Sequence, residues 1–361
     1  YDSCLVGLGG GKDSIVVSQL LKEHKIPFTT FFVKTRNDTS LVKKIASLVG
    51  VKNIIFERIL DPKVHQAHAF NGHIPISAIY AFLGLLGAVI FKHSYVIVGN
   101  EYSSNFGNVV YKGQEVNHQW SKSYEFENLF SNYLKSFVTL DVDYFSLLRS
   151  FYEIRVVKMF CGTNPSTRLK ARKYLSYFSS CNKNFTLQKK GSSGLWCQNC
   201  PKCVFVFTIL SAFLSKKDLL LIFKKNLYQD QNLLPLFKDI LGLGVMKPFD
   251  CVGTFKEAQV ALFLASKKPV LSQIKGFKKD SIVATLLPKI KIGDQDIKEV
   301  FAINKESNIP ARFKLLGMEK VLILGYGKEG KVTWQYIKKY YPDIKIGIAD
   351  TKNDKEYLKK Q

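Results

Sequence analysis

Apolar and polar positions change places in blocks along the first hundred residues. Cys4–Leu8 is a short apolar run, and Ser14–His24 spaces its apolar residues as a helix does. Phe28–Val33 predicts a strand, Ser40–Val49 a helix and Asn53–Phe56 another short strand. Ile76–Phe91 predicts a buried helix, and Tyr95–Val98 a strand. Strands alternating with helices predict βαβ units and a doubly wound parallel sheet. Ligands of such sheets lie outside the carboxyl ends of the strands. From about residue 125 to 240 the pattern is mostly helical, with Leu210–Phe223 apolar and polar at helical spacing. Lys267–Glu319, with Pro269, Pro288 and Pro310, predicts a small irregular region or linker. A second α/β pattern starts at Lys320, and there is no internal repeat.

Composition narrows this picture. A hydrophobic share of 46% against 23% charged reads as a soluble, folded protein. Ile74–Phe91 holds no charge, but 18 residues are marginal for a membrane span, and Pro75, Gly84 and Gly87 interrupt them. No span is expected. A net charge of +24 favours anionic partners without choosing among them, and nucleic acid is not the expected one. Ser166–Lys190 has basic residues and no acidic one, which suits a phosphate-facing or a merely solvated surface. Seven Cys are too few for a disulfide scaffold, and four of them crowd together, which points to a metal site in a cytoplasmic protein. A chain that opens at Tyr1, directly on a strand, reads as a fragment.

Leu5–Leu8 runs into Gly9-Gly10-Gly11-Lys12-Asp13-Ser14, and a helix begins. Strand, glycine turn and helix N-terminus make an anion site. Asp13 after Lys12 excludes a Walker loop, which needs Ser or Thr there. Lys12 also stands where a dinucleotide fingerprint needs its third glycine. Farther on, Gly99-Asn100-Glu101, Gly107-Asn108, Asn117-His118-Gln119, Ser121-Lys122-Ser123 and Glu127 form a dense polar stretch after a predicted strand. That is what a polar ligand site needs, although a hydrated loop with a helix cap at Ser121 or Ser123 would also explain it.

The Gly-Gly-Lys-Asp-Ser loop resembles that of the ATP-pyrophosphatase (PP-loop) superfamily, whose members cleave ATP between the α and β phosphates. Gly9 departs from the Ser that usually opens that motif. Together with VGNE, NHQxSKS, LRSFYE, SCN, WCQNCPKC and PFDCVG, it resembles the UDP-N-acetylmuramoyl-L-alanyl-L-glutamate epimerase (MurL) family over roughly residues 1 to 265. Asp250 stands where that family would have Glu. The resemblance implies ATP-dependent inversion of the terminal L-Glu of UDP-MurNAc-L-Ala-L-Glu through an acyl-adenylate, with a divalent cation such as Mg²⁺. It implies a phosphate cradle of Gly9, Gly10, Gly11, Lys12 and Ser14, with Asp13 on the metal ion or the helix turn. The Lys12 side chain is expected to point at solvent. His118, Glu101, Lys122 and Cys251 are the acid/base candidates, with the pair left open. Arg149 and Glu153 are expected on one helix, as an ion pair or a substrate contact. Another PP-loop adenylating enzyme, such as a tRNA-modifying one, would also suit the charge and the cysteines.

Cys197-x-x-Cys200-x-x-Cys203 follows Cys181 by a fifteen-residue loop, and four thiolates satisfy tetrahedral Zn²⁺. An iron–sulfur cluster or a redox disulfide would use the same residues. Four protein ligands leave no open position, so the metal is expected to be structural, with Lys202 offsetting thiolate charge. Near the C-terminus, Gly325-x-Gly327-x-x-Gly330 follows an apolar run, and Asp350 lies twenty residues past the last glycine. The Gly-Lys-Glu-Gly wording resembles the start of the D-glutamate ligase (MurD) family, which implies a truncated Rossmann-like βαβ and a protein fused or adjacent to such a ligase. The expected units are a PP-loop ATP-binding domain at 1–125, a helical substrate and Cys-cluster region at 126–265, the linker at 266–318 and the ligase-like segment at 319–361.

Overall fold

Alternation inside the first strand, β1 (Cys4–Gly7), decides the layering. Cys4 and Val6 face one side of a sheet and Leu5 the other, and each side is buried in its own apolar cluster. The computed structural model describes residues 3–34, 39–66, 74–162, 165–184, 194–267, 277–341 and 344–350. After β1 come α1 (Lys12–Glu23), β2 (Phe28–Lys34), α2 (Ser40–Val49), β3 (Asn53–Glu57), α3 (Ile76–Phe91) and β4 (Tyr95–Val98). A short antiparallel hairpin, β5 (Val109–Tyr111) and β6 (Gln114–Val116), precedes α4 (Tyr124–Phe137) and β7 (Asp143–Ser146). The main sheet has five strands in the order β3-β2-β1-β4-β7, and every pairing is parallel. β1 is its centre and the point where the strand order reverses.

Residues of α1 and α2 cover the Cys4/Val6 face, and residues of α3 and α4 the Leu5 face. α3 is buried only along Ala81, Gly84, Leu85, Gly87 and Ala88. Phe82, Leu86, Val89 and Ile90 on its other side are about half exposed, so the expected buried helix is buried on one face only. Among the described residues no helix is long and apolar enough to cross a membrane.

The next part is helical: α5 (Glu153–Cys161), α6 (Pro165–Leu175), α7 (Pro201–Ser211), α8 (Lys216–Phe223), α9 (Leu234–Ile240) and α10 (Phe255–Ser266). α7 is buried all round, because α5, α8, α9 and α10 pack on it. The apolar stretch at 210–223 is not one helix. α7 stops at Ser211, and Ser215 starts α8 by accepting the Asp218 amide on its hydroxyl at 3.2 Å. Beyond it, α11 (Ser281–Leu286) and α12 (Asp294–Phe301) bring Ile282, Val283, Leu286 and Val300 into the same core. The stretch expected to be irregular therefore contains packed helices. Last come β8 (Lys320–Leu324), α13 (Lys328–Tyr340) and β9 (Lys345–Ala349), a parallel βαβ unit with its own two-stranded sheet, whose Ile323, Ile337, Tyr341 and Ile344 join the main core.

Candidate active site

The carboxyl ends of β1 and β4 lie side by side at the reversal point, where an open α/β sheet forms its ligand crevice. β1 delivers Gly9–Gly11 and the N-terminus of α1, and β4 delivers Gly99–Glu101. Gly10 takes a positive φ of 86°, which turns the loop into the helix at little steric cost. α1 has no side-chain cap, and Ser14 donates its hydroxyl to the Gly11 carbonyl at 3.1 Å. Gly99 lets the two strand ends approach: a Cβ there would stand 3.1 Å from the Asp13 backbone. Gly9 is exposed, and a Cβ on it would meet nothing within 4 Å.

Lys12 does not point at solvent. It is 1% exposed and donates to Glu153 at 2.6 Å and to Asp13 at 2.8 Å. Glu153 also accepts from Lys202 at 3.2 Å. Burial alone would lower the Lys12 pKa, but Asp13, Glu153 and Glu101 outweigh it and hold the ammonium above its ordinary value. Burial would raise Glu153, yet Lys12 and Lys202 bring it down to about 2. Glu101 goes the other way. Burial, together with the charges of Glu153 and Asp13, pushes it up to about 7. One buried carboxyl is thus firmly ionised and a second is poised near neutrality, the kind of separation that acid–base chemistry uses.

Arg149 and Glu153 do not pair. Arg149 lies in the turn before α5, fully buried, and gives Nε and a terminal nitrogen to Glu127 at 3.1 and 2.9 Å. Its remaining donors hold the carbonyls of Glu101 (3.0 Å) and Lys122 (2.7 Å). Arg149 therefore positions the backbone of two acid/base candidates. Ser123, not Ser121, caps α4.

The other candidates meet across two loops. Asn108 donates to the Pro248 carbonyl at 2.6 Å, Gln119 reaches the Val252 carbonyl at 3.5 Å, and Lys122 Nζ lies 3.4 Å from Cys251 Sγ. His118 lies close enough to the same sulfur to favour its thiolate. From the far side Asn182 donates to Asp250. The Pro248–Val252 loop is thus pinned between the polar stretch after β4 and the residue following Cys181. Burial would raise the Cys251 thiol, but Lys122 and His118 bring it down to about 6. Lys122 is itself raised, chiefly by Cys251.

Cys181, Cys197, Cys200 and Cys203 place their sulfurs within 4.8 Å of one another, and Cys197 and Cys203 are 3.7 Å apart. Zn–S bonds of about 2.3 Å in a tetrahedron require sulfurs about 3.8 Å apart, so the set fits such a metal. Cys200 also caps α7. Lys202 turns to Glu153 instead of offsetting the thiolates. The segment before Cys181 backs the glycine loop, with the Ser179 amide donating to the Gly10 carbonyl at 3.1 Å.

Sequence reading missed Glu153 as the partner of Lys12, Glu127 as that of Arg149, and Glu257 altogether. Glu257 is buried at the start of α10 and accepts from Ser103 Oγ (2.9 Å), the Ile154 amide (3.0 Å) and Thr254 (amide 2.8 Å, hydroxyl 2.9 Å). Its signal was legible: Thr254-x-x-Glu257 is a capping box. The C-terminal glycines belong to the β8–α13–β9 unit, where the Tyr326 amide donates to Asp350 at 2.6 Å.

Comparison with known proteins places these features in a family context. Residues 1–147 match the MurL N-terminal domain and residues 177–292 the MurL C-terminal domain, together more than half of the chain. A UDP-N-acetyl-alpha-D-muramoyl-L-alanyl-L-glutamate epimerase of Xanthomonas oryzae pv. oryzae is 32% identical over 85% of this chain and 66% of its own length. Proteins of the same name from a Micromonospora species and from Salinispora tropica are 34% and 32% identical. They align over 73% and 79% of this chain, and over 57% and 59% of their own lengths. The chain thus spans about three-fifths to two-thirds of the relatives it matches.

Proposed function

The chain belongs to the MurL epimerase family, and from that premise we propose that it inverts the terminal L-Glu of UDP-MurNAc-L-Ala-L-Glu to D-Glu at the expense of ATP. The observation that carries the reading is the crevice itself. A glycine loop and helix N-terminus for phosphate lie at the sheet's reversal point, and Glu101 follows the adjoining strand β4. The loop after that strand adds His118 and Lys122, which meet Cys251.

The chemistry makes each part useful. The α-hydrogen of a carboxylate is barely acidic, because its carbanion would add a second negative charge. Joining the carboxylate to AMP removes that charge. The α-proton can then leave on one face and return on the other. In this reading the sheet has the PP-loop fold. The amides of Gly10 and Gly11, with Lys12 and Ser14, hold the β and γ phosphates. Lys12 has one N–H beyond those on Asp13 and Glu153. Asp13 and the second oxygen of Glu153, which is buried with no donor among the described residues, are hard oxygen ligands suited to Mg²⁺. A structural Zn²⁺ on the four cysteines would fix the segment behind the glycine loop. Such substrates and ATP suit a cytoplasmic enzyme, and the β8–α13–β9 unit suits the start of a fused D-glutamate ligase.

The deciding experiment is incubation with UDP-MurNAc-L-Ala-L-Glu, ATP and Mg²⁺, followed by chiral analysis of the glutamate. D-Glu should appear together with AMP and pyrophosphate. Unchanged L-Glu, or ADP and phosphate as sole products, would overturn the reading.

A further inference from the structure

Of the four candidates for moving the α-proton, Lys122, His118 and Cys251 gather at one sulfur, while Glu101 feels the charges of Glu153, Asp13 and Lys12. Lys122 stands 3.4 Å from Cys251 Sγ, and its pKa is raised, chiefly by that sulfur. A lysine held as ammonium is a charge partner and not a base. His118 lies against the same sulfur, and the charge of Lys202 is also felt there. Three cysteines fall outside the metal set, and they differ. Cys4 is buried in β1, where burial pushes its thiol up to about 12, and Cys161 is buried in α5. Cys251 alone of the three is partly accessible, and its loop is tied down through Pro248, Asp250 and Val252.

We propose that the Cys251 thiolate, held by Lys122 as a positioning residue, exchanges the α-proton on one face of the glutamyl residue. The assignment rests on the epimerase reading. In the step, the Cα–H bond breaks and its proton passes to Sγ. The electron pair enters the enolate of the acyl-adenylate. A carboxyl or ammonium acid on the opposite face then returns a proton to Cα. The thiol and that acid recover their starting states by exchange with water, and a water molecule then cleaves the inverted acyl-adenylate to the D-glutamyl carboxylate and AMP. A base whose pKa lies just below neutrality is mostly ionised at pH 7 and still accepts a proton usefully. The nearby ammonium also favours the enolate's developing charge.

The test uses the full chain with the UDP-linked dipeptide, ATP and Mg²⁺ in D₂O. Pyrophosphate–ATP exchange reads adenylation, and deuterium at Cα and D-Glu read the later step. Cys251→Ala should keep adenylation within about threefold and lose deuterium uptake and inversion by about 10²–10⁴-fold. Inversion at near the parental rate would overturn the proposal, as would loss of adenylation in a folded variant. A parent chain that never forms D-Glu would sink the epimerase reading, and this assignment with it. Alkylation of the unmodified parent by iodoacetamide, mapped by peptide mass, guards against a variant that fails to fold. Cys251 should react with a midpoint near pH 6, set by its burial against the lowering effects of Lys122, His118 and Lys202. The midpoint should move up in Lys122→Met and largely return in Lys122→Arg. Labelling of Cys251 only above pH 8 in the parent would equally overturn the proposal.

Discussion

Replacing Lys12 by Met should destabilise the chain before any nucleotide is added. Lys12 is 1% exposed and joins Glu153 at 2.6 Å, and Glu153 is itself 1% exposed. Removing one member of a buried ion pair costs about 3–5 kcal/mol, because the other charge is left without its partner. Lys202, at 3.2 Å from the same oxygen, keeps part of the compensation, so the lower end, about 3 kcal/mol, applies. With an unfolding entropy of about 2.1 cal/mol/K per residue, a chain of 361 residues loses about 1.3 °C per kcal/mol, so the apparent Tm should fall by about 4 °C. The assay is thermal unfolding of the parent, Lys12→Met, Glu153→Gln and the double variant. Because the two residues touch, the double variant should lose about 1–3 kcal/mol less than the sum of the single losses. ATP at a hundred times its Kd should stabilise the parent by about 2.7 kcal/mol and Lys12→Met hardly at all. A Lys12→Met chain that melts within a degree of the parent without ATP would refute the argument, since Lys12 would then be free of Glu153.

Glu153 also makes the chain acid-sensitive. Its pKa is depressed from 4.5 to about 2, so its stabilisation is complete above pH 4.5 and is lost as pH falls toward 2. Unfolding midpoints of the parent should drop more steeply than those of Glu153→Gln across that window. The purified chain should carry about one zinc, and Cys197→Ser or Cys200→Ser should lose it. Elemental analysis that finds no metal, or iron with visible absorbance, would contradict this. Glu257→Ala strips acceptors from Ser103, Ile154 and Thr254, and each orphaned donor costs about 1–3 kcal/mol, so urea unfolding should show a loss of several kcal/mol. Gly9→Ser has open space around its Cβ, so its melting temperature should match the parent's while calorimetry shows tighter ATP binding from the added hydroxyl.

The order of strands and helices from Cys4 to Val98 was legible along the chain, because apolar spacing and turn residues are local signals. So were the glycine loop, the crowding of Cys181, Cys197, Cys200 and Cys203, and the polar stretch after β4. Local spacing also misled. It joined 210–223 into one helix where Ser215 starts a new one, and it put Arg149 and Glu153 on a common helix face. Only the tertiary structure decided which charges meet. Glu153 reaches Lys12 across 141 positions, and Lys122 reaches Cys251 across 129. No periodicity spans such separations. They arise when sheet order sets β4 beside β1 and the helical layer carries the Pro248–Val252 loop against the polar stretch after β4. The identities of the charged residues are written in the sequence. Their pairing, and with it their burial and their proton affinity, comes from the packing of distant segments around the carboxyl ends of β1 and β4.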